Sequence, residues 1–135
     1  MTDYLLDTNH ASYLMANDPR IVAQLQERIM TGDRFGISVT ILGELYFAVH
    51  ASQRQEKNLH RLTQMVAILN MYPFDHLAAE EFGRIQAEQK KKGRPIPPLD
   101  AQIAAVARQL NLTILTADKH FEYVDTLTIE NWLAT

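Results

Sequence analysis

Two acids in this chain stand just beyond short apolar runs. Tyr4 to Leu6 stops at Asp7, and Leu112 to Leu115 leads through Thr116 and Ala117 to Asp118. Such runs read as β-strands. In an open α/β sheet the crevice beyond the carboxyl ends of the strands is where ligands bind, because the strand-to-helix loops converge there. Two further acids lie within apolar helical stripes. Between Val39 and Ser52 the stripe Ile41, Leu45, Ala48 and Val49 encloses Glu44; between Pro98 and Leu110 the stripe Ile103, Val106, Ala107 and Leu110 extends back to Asp100. An inward carboxylate without a partner is costly, or it takes up a proton. Four of them gathered at one sheet edge repel one another unless a cation sits among them, and carboxylate and water oxygens suit hard divalent ions such as Mg²⁺ and Mn²⁺. The arrangement points to a metal-dependent enzyme.

Ordinary roles are open to three of the four. Asp7 and Asp118 can serve as N-caps, and Asp100 can complement a helix dipole from the first turn. Glu44, in mid-stripe, has no such role, and a charged residue is rarely fully buried without a partner.

The elements that must position these acids follow from the pattern of the chain. Strands are expected at Asp3 to Leu6, Arg34 to Ser38, Asn70 to Phe74, Leu112 to Thr116 and Leu127 to Ile129. Helices are expected at Ala11 to Ala16, Pro19 to Thr31, Val39 to Ser52, Gln55 to Leu69, Asp75 to Lys91 and Pro98 to Leu110, with turns at Asp118 to Tyr123 and Glu130 to Ala134. Pro19 suits a first helical turn and Gly93 a helix end. Strands alternating with helices imply a three-layer α/β/α sandwich around a parallel sheet. A length of 135 residues fits one domain spanning 1–135. The helices around Tyr46, Phe47, Leu59, Leu62, Val66 and Leu69 offer more apolar surface than one small sheet needs, and a homodimer or partner-protein interface is expected there.

Composition narrows the function classes. The absence of cysteine excludes disulfides, Cys-ligated zinc, iron–sulfur clusters and a thiol nucleophile. No apolar stretch is long enough to span a membrane and no leader-like segment opens the chain, so a cytoplasmic protein without membrane contact is expected. The four candidate acids account for more than the whole net charge of −3, leaving a remainder of +1 that does not repel a polyanion. Lys90, Lys91, Lys92 and Arg94 form a basic run shortly before Asp100, which reads either as a solvated helix end or as a contact for a phosphate backbone.

The strings YLLDTN, ISVTILGEL, KKKGRPIPPLDAQIAA, TADKHF and IENW, in this order, resemble the PIN-domain family, closely its VapC-type ribonuclease toxins from bacterial toxin–antitoxin pairs. The resemblance spans nearly the whole chain and places the family's acidic quartet on Asp7, Glu44, Asp100 and Asp118. It implies a Mg²⁺- or Mn²⁺-dependent endoribonuclease acting on RNA, with tRNA the leading candidate, held inactive by a cognate antitoxin whose tail lies across the site. It also implies supporting roles for Asn9, Thr40 and Thr116. Ala117 departs from the pattern, since relatives often have Asn there. Asp7 and Asp100 are the first choices for direct metal ligands, with Glu44 and Asp118 completing the sphere through water, holding a second ion or orienting the attacking water.

Three other readings compete. General acid–base cleavage would need placed histidines, and only His10 and His120 fall near the acidic strand ends. A phospho-accepting signalling domain would need an adjacent acidic pair after the first strand and a Lys-Pro after the last, and both are missing. A catalytically silent interaction module is told apart by whether Asp7→Asn abolishes both metal binding and toxicity on expression.

Overall fold

In a computed structural model of the chain, which describes residues 1–133, the first strand, β1 (Asp3–Leu6), buries Tyr4, Leu5 and Leu6 in the middle of a sheet. The remaining elements in order are α1 (Thr8–Met15), α2 (Pro19–Met30), β2 (Arg34–Ser38), α3 (Val39–Ala51), α4 (Gln55–Ile68), β3 (Asn70–Tyr72), α5 (His76–Lys92), α6 (Pro98–Leu110), β4 (Thr113–Leu115), a 3-10 turn (Lys119–Tyr123) and β5 (Thr128–Glu130). All five strands are parallel, in the order β3-β2-β1-β4-β5, with helices on the flanks. The expected α/β architecture is therefore present. The chain winds outward from β1 to β3, then returns to place β4 on the other side of β1. The direction of winding reverses between β1 and β4, and this switch point opens a crevice at their carboxyl ends. Phospho-accepting domains of the flavodoxin-like type use the order 2-1-3-4-5 instead, so the topology argues against that reading.

Several boundaries differ from expectation for identifiable reasons. α1 begins at Thr8 rather than Ala11, because the Asp7 carboxylate accepts the Thr8 N–H and starts the helix directly at the strand end. β3 stops at Tyr72 because Pro73 has no N–H to give to a ladder. β4 is shorter than Leu112 to Thr116, and β5 is shifted by one residue to include Glu130. The final turn was expected to reach Ala134, which lies outside the described residues.

The helical stripes also need correction. On α3 the buried residues are Ile41, Leu45 and Val49, while Ala48 is exposed. On α6 Leu110 is exposed, but Ala101 and the whole run Ile103 to Ala107 are buried. That run is rich in alanine, whose small side chain lets α6 pack closely beneath its neighbours. α5 lies alongside, tied by Arg108 to Glu81 and Glu88. Gly93 ends α5 in the left-handed conformation, φ 70°, as a glycine after a helix should. At Gly36 a Cβ would sit 2.5 Å from the Asn70 carbonyl oxygen, so β2 and β3 approach too closely for any other residue. No helix among the described residues is long and apolar enough to cross a membrane.

Candidate active site

The crevice between β1 and β4 is built by short connections. The Asp7 N–H donates to the Leu115 carbonyl (2.9 Å) and the Thr116 N–H to the Glu130 carbonyl (2.9 Å), so ladder-type bonds continue past the strand ends. Asp7 then turns into α1 with both carboxylate oxygens engaged. Oδ1 accepts the Thr8 N–H at 2.8 Å and Oδ2 accepts the Thr116 hydroxyl at 2.8 Å. Thr116 Oγ1 in turn accepts the Asp118 N–H at 3.0 Å. Asp118 caps the 3-10 turn by accepting the His120 N–H at 2.9 Å. The same imidazole sets Nδ1 at 3.2 Å from Asp118 Oδ1 and 3.4 Å from Asp100 Oδ2. On the other side Glu44 Oε2 accepts the Thr8 hydroxyl at 2.7 Å. One connected network thus runs Glu44–Thr8–Asp7–Thr116–Asp118–His120–Asp100, joining α3, α1, β4 and α6. The capping roles open to Asp7 and Asp118 and the first-turn role open to Asp100 are all realised, and these same groups face the crevice.

The electrostatics are unfavourable for bare carboxylates. Burial pushes the Asp7 carboxyl above its ordinary value; the Thr116 hydroxyl and the Thr8 N–H counter this in part, and the charges of Glu44 and Asp118 add to the rise. Burial likewise raises Asp100, with the Asp118 charge next in importance and His120 acting against it. Among the described residues no lysine or arginine pairs with any of the four acids. A set of carboxylate oxygens that repel one another, are partly desolvated and lack a cationic side chain fits a hard divalent ion. Ligand atoms of Asp100, Asp118 and His120 lie within 4.8 Å of one another, a span suited to one shared ion.

The other expected residues fall at varying distances from this centre. Thr116 is within the network. Thr40, in the first turn of α3, donates to Gln102 Oε1 at 3.0 Å and so fastens α3 to the first turn of α6, next to Asp100. Asn9 is exposed on α1, and its neighbour Thr8 makes the link to Glu44. Lys90 and Lys91 are exposed at the end of α5. Lys92 Nζ bonds Asp125 Oδ1 at 2.9 Å and the Tyr123 carbonyl at 3.3 Å, and Arg94 lies 4.7 Å from the Tyr123 ring centre. The basic run therefore abuts the turn that carries His120, whose ring centre is 6.4 Å from that of Tyr123. His10 is elsewhere: it is fully buried, its Nε2 accepts the Trp132 N–H at 3.0 Å, and burial pushes its pKa down to about 4.

Sequence reasoning missed Thr8 and Gln102 and set His120 aside. Thr8 was legible in hindsight, since a hydroxyl directly after a strand-end acid sits at the helix start. His120 carried a weaker signal, two residues after Asp118. A surface cleft of about 460 Å³ adjoins the site, lined by Thr116, Ala117, Asp118, Lys119, Leu127 and Asn131 among others.

The model of the PIN domain family matches residues 4–127. The tRNA(fMet)-specific endonuclease VapC of Shigella flexneri is 34% identical over 134 residues, 98% of this chain and 99% of that protein. Among solved structures, DNA-bound VapBC from Salmonella typhimurium superposes with a TM-score of 0.89 at 30% identity, covering 98% of this chain and 99% of the other. VapBC-5 from Mycobacterium tuberculosis, a member of the VapBC family of toxin-antitoxin systems, gives 0.70 at 25% identity, covering 97% and 98%. By fold, by family match and by near-full-length similarity, the chain belongs to the PIN-domain family, within its VapC ribonuclease group.

Proposed function

We propose that this chain is a VapC-type toxin, an endoribonuclease that hydrolyses RNA with Mg²⁺ or Mn²⁺ held by Asp7, Glu44, Asp100 and Asp118. The observation that carries this reading is the single hydrogen-bonded network that draws these four acids, remote in sequence, to the switch point of the sheet. Asp7 and Asp100, both raised by burial, would be its direct ligands. A bound ion of this kind supplies positive charge against the scissile phosphate and lowers the pKa of nearby water. Glu44 Oε2 is engaged by Thr8, which leaves Oε1 to hold and orient a water molecule. Thr116 and Thr8 fix the Asp7 carboxylate, and Thr40 with Gln102 fixes the start of α6. Water oxygen attacks phosphorus, the bond from phosphorus to the 3′ oxygen breaks, and the 3′ oxygen takes up a proton. The products are a 5′-phosphate and a 3′-hydroxyl.

The name of the Shigella flexneri relative makes tRNA the first substrate to test. Solved relatives are VapBC complexes, which supports a cognate antitoxin as partner. In this reading the antitoxin's tail covers the acidic crevice, and the chain forms a homodimer through apolar surface such as the exposed Phe47 and the partly exposed Tyr46 and Leu59. Sedimentation showing only monomer across micromolar concentrations would remove the homodimer.

Incubating the purified chain with total tRNA and Mg²⁺ or Mn²⁺, then sequencing the new ends, tests the activity. Cleavage with 5′-phosphate ends that is lost in Asp7→Asn and in excess chelator is expected. A 2′,3′-cyclic phosphate, or cleavage that survives both changes, overturns the reading.

A further inference from the structure

His120 occupies a position that neither the acidic quartet nor a packing role accounts for. Its backbone N–H is pinned to Asp118 Oδ1 at 2.9 Å, and its ring lies against Tyr123, which is itself covered by the Arg94 guanidinium at 4.7 Å. Held in this way, the ring directs Nδ1 to within 3.2 Å of one site carboxylate and 3.4 Å of another, although nearly half the side chain remains exposed. Cis ligands of an octahedral ion with bonds of about 2.1 Å stand about 3 Å apart, and trans ligands about 4 Å apart. The two His120 separations, 3.2 and 3.4 Å, are close to the cis spacing, and the three ligand atoms all lie within 4.8 Å of one another.

We propose that His120 Nδ1 is a nitrogen ligand of this centre and biases it toward Mn²⁺ over Mg²⁺. The inference rests on the metal-dependent reading above and adds the residue that sets ion preference. Mg²⁺ favours oxygen ligands and holds its waters, whereas imidazole nitrogen is a better ligand for the transition ions, whose affinities for such sites rise along the first row. An imidazole that only paired with the two carboxylates would have the opposite effect: it would compete with either ion, and its removal would strengthen both.

Electron spin-echo spectroscopy of the Mn²⁺-loaded chain, with Mn²⁺ and Mg²⁺ titrations of wild type and His120→Asn, distinguishes these cases. The expected results are a ¹⁴N imidazole coupling in wild type that vanishes in the variant, a loss of Mn²⁺ affinity of about tenfold or more, and Mg²⁺ affinity changed by less than about threefold. His120→Asn lies on a partly exposed turn, and its circular dichroism spectrum checks that the fold is intact. Mn²⁺ bound without nitrogen coupling, or affinities for both ions rising in the variant, overturns the role of His120 and leaves the four-acid centre standing. Failure of wild type to bind Mn²⁺ at all removes both.

Discussion

Burial and mutual repulsion raise the proton affinity of Asp7 and Asp100, so their ionisation at neutral pH works against the metal-free fold. A carboxyl whose folded pKa lies above its unfolded value contributes stability that is complete below the unfolded value, here 3.8, and is lost as pH rises through the folded one. Asp100→Asn removes that loss. In chelator at pH 7.5 the variant is expected to melt higher than wild type, each kcal/mol being worth roughly 4 °C in a domain of this size. The difference should close on acidification toward pH 3.8. The same variant should lose RNA cleavage by at least about a hundredfold, the scale of removing a group that stabilises the transition state. Calorimetry in chelator and an end-point cleavage assay check the two halves, and a variant that melts lower across the whole range contradicts the electrostatic account. Thr116 offers a second test. Its hydroxyl donates to Asp7 and accepts from Asp118, so Thr116→Val should lower activity about 10- to 100-fold, as loss of a group orienting a metal ligand does. Thr116→Ser, which keeps the hydroxyl, should recover most of it; equal activity in the two variants would mean that the bridge does not matter.

At the scale of elements, the switch point between β1 and β4 gathers the site, and two other contacts hold the surrounding frame. Gly36 allows β3 to lie against β2, and Gly36→Ala should destabilise the fold by about 1 to 3 kcal/mol in urea titrations, because Cβ would be driven into the backbone of Asn70. His10 ties α1 to the segment after β5 through the Trp132 N–H. With its pKa depressed from 6.5 to about 4, its contribution is complete above pH 6.5 and is lost as pH falls toward 4, at most about 3 kcal/mol. Against a His10→Gln variant, wild type should lose that much more stability between pH 7 and 4, followed through Trp132, the sole tryptophan. Identical pH profiles would show that His10 does not titrate with unfolding. These elements also show what the sequence made legible. The alternation of apolar strands and helices and the four acids could be read from periodicity and position, because burial in the sheet leaves its mark on the central strands β1, β2 and β4. Gln102 could not, since its amide meets Thr40, 62 residues away, only in the folded chain. His120 reads in the sequence as a surface or packing residue near the acidic strand ends, because its partner Asp100, 20 residues away, meets it only in the fold. Ala48 and Leu110 fit the helical period yet face solvent, because the width of a buried stripe is set by the neighbouring helix and not by the spacing of apolar residues.

Across the whole molecule, charge is segregated rather than simply acidic. Four acids, more than the net charge of −3, gather at the acidic crevice, while the end of α5 presents Lys90, Lys91, Lys92 and Arg94 beside the turn that carries His120. This placement suits a strand whose scissile phosphate enters the crevice while a flanking phosphate meets the basic ridge. Lys92 and Arg94 are engaged with Asp125 and with the Tyr123 ring, and Lys90 and Lys91 are exposed at the end of α5. Single-stranded RNA releases counterions on binding with a slope of about −0.7 in log affinity per log salt for each phosphate neutralised. Replacing Lys90 and Lys91 together by Gln should therefore raise KM at low salt, leave kcat nearly unchanged and flatten the salt slope by about 1.4. The measurement is KM for an RNA substrate across monovalent salt at fixed, saturating Mn²⁺, so that competition for the metal does not enter. A fall in kcat with no change in slope would place these lysines in positioning the site, and an unchanged KM would move the RNA path away from the end of α5 altogether.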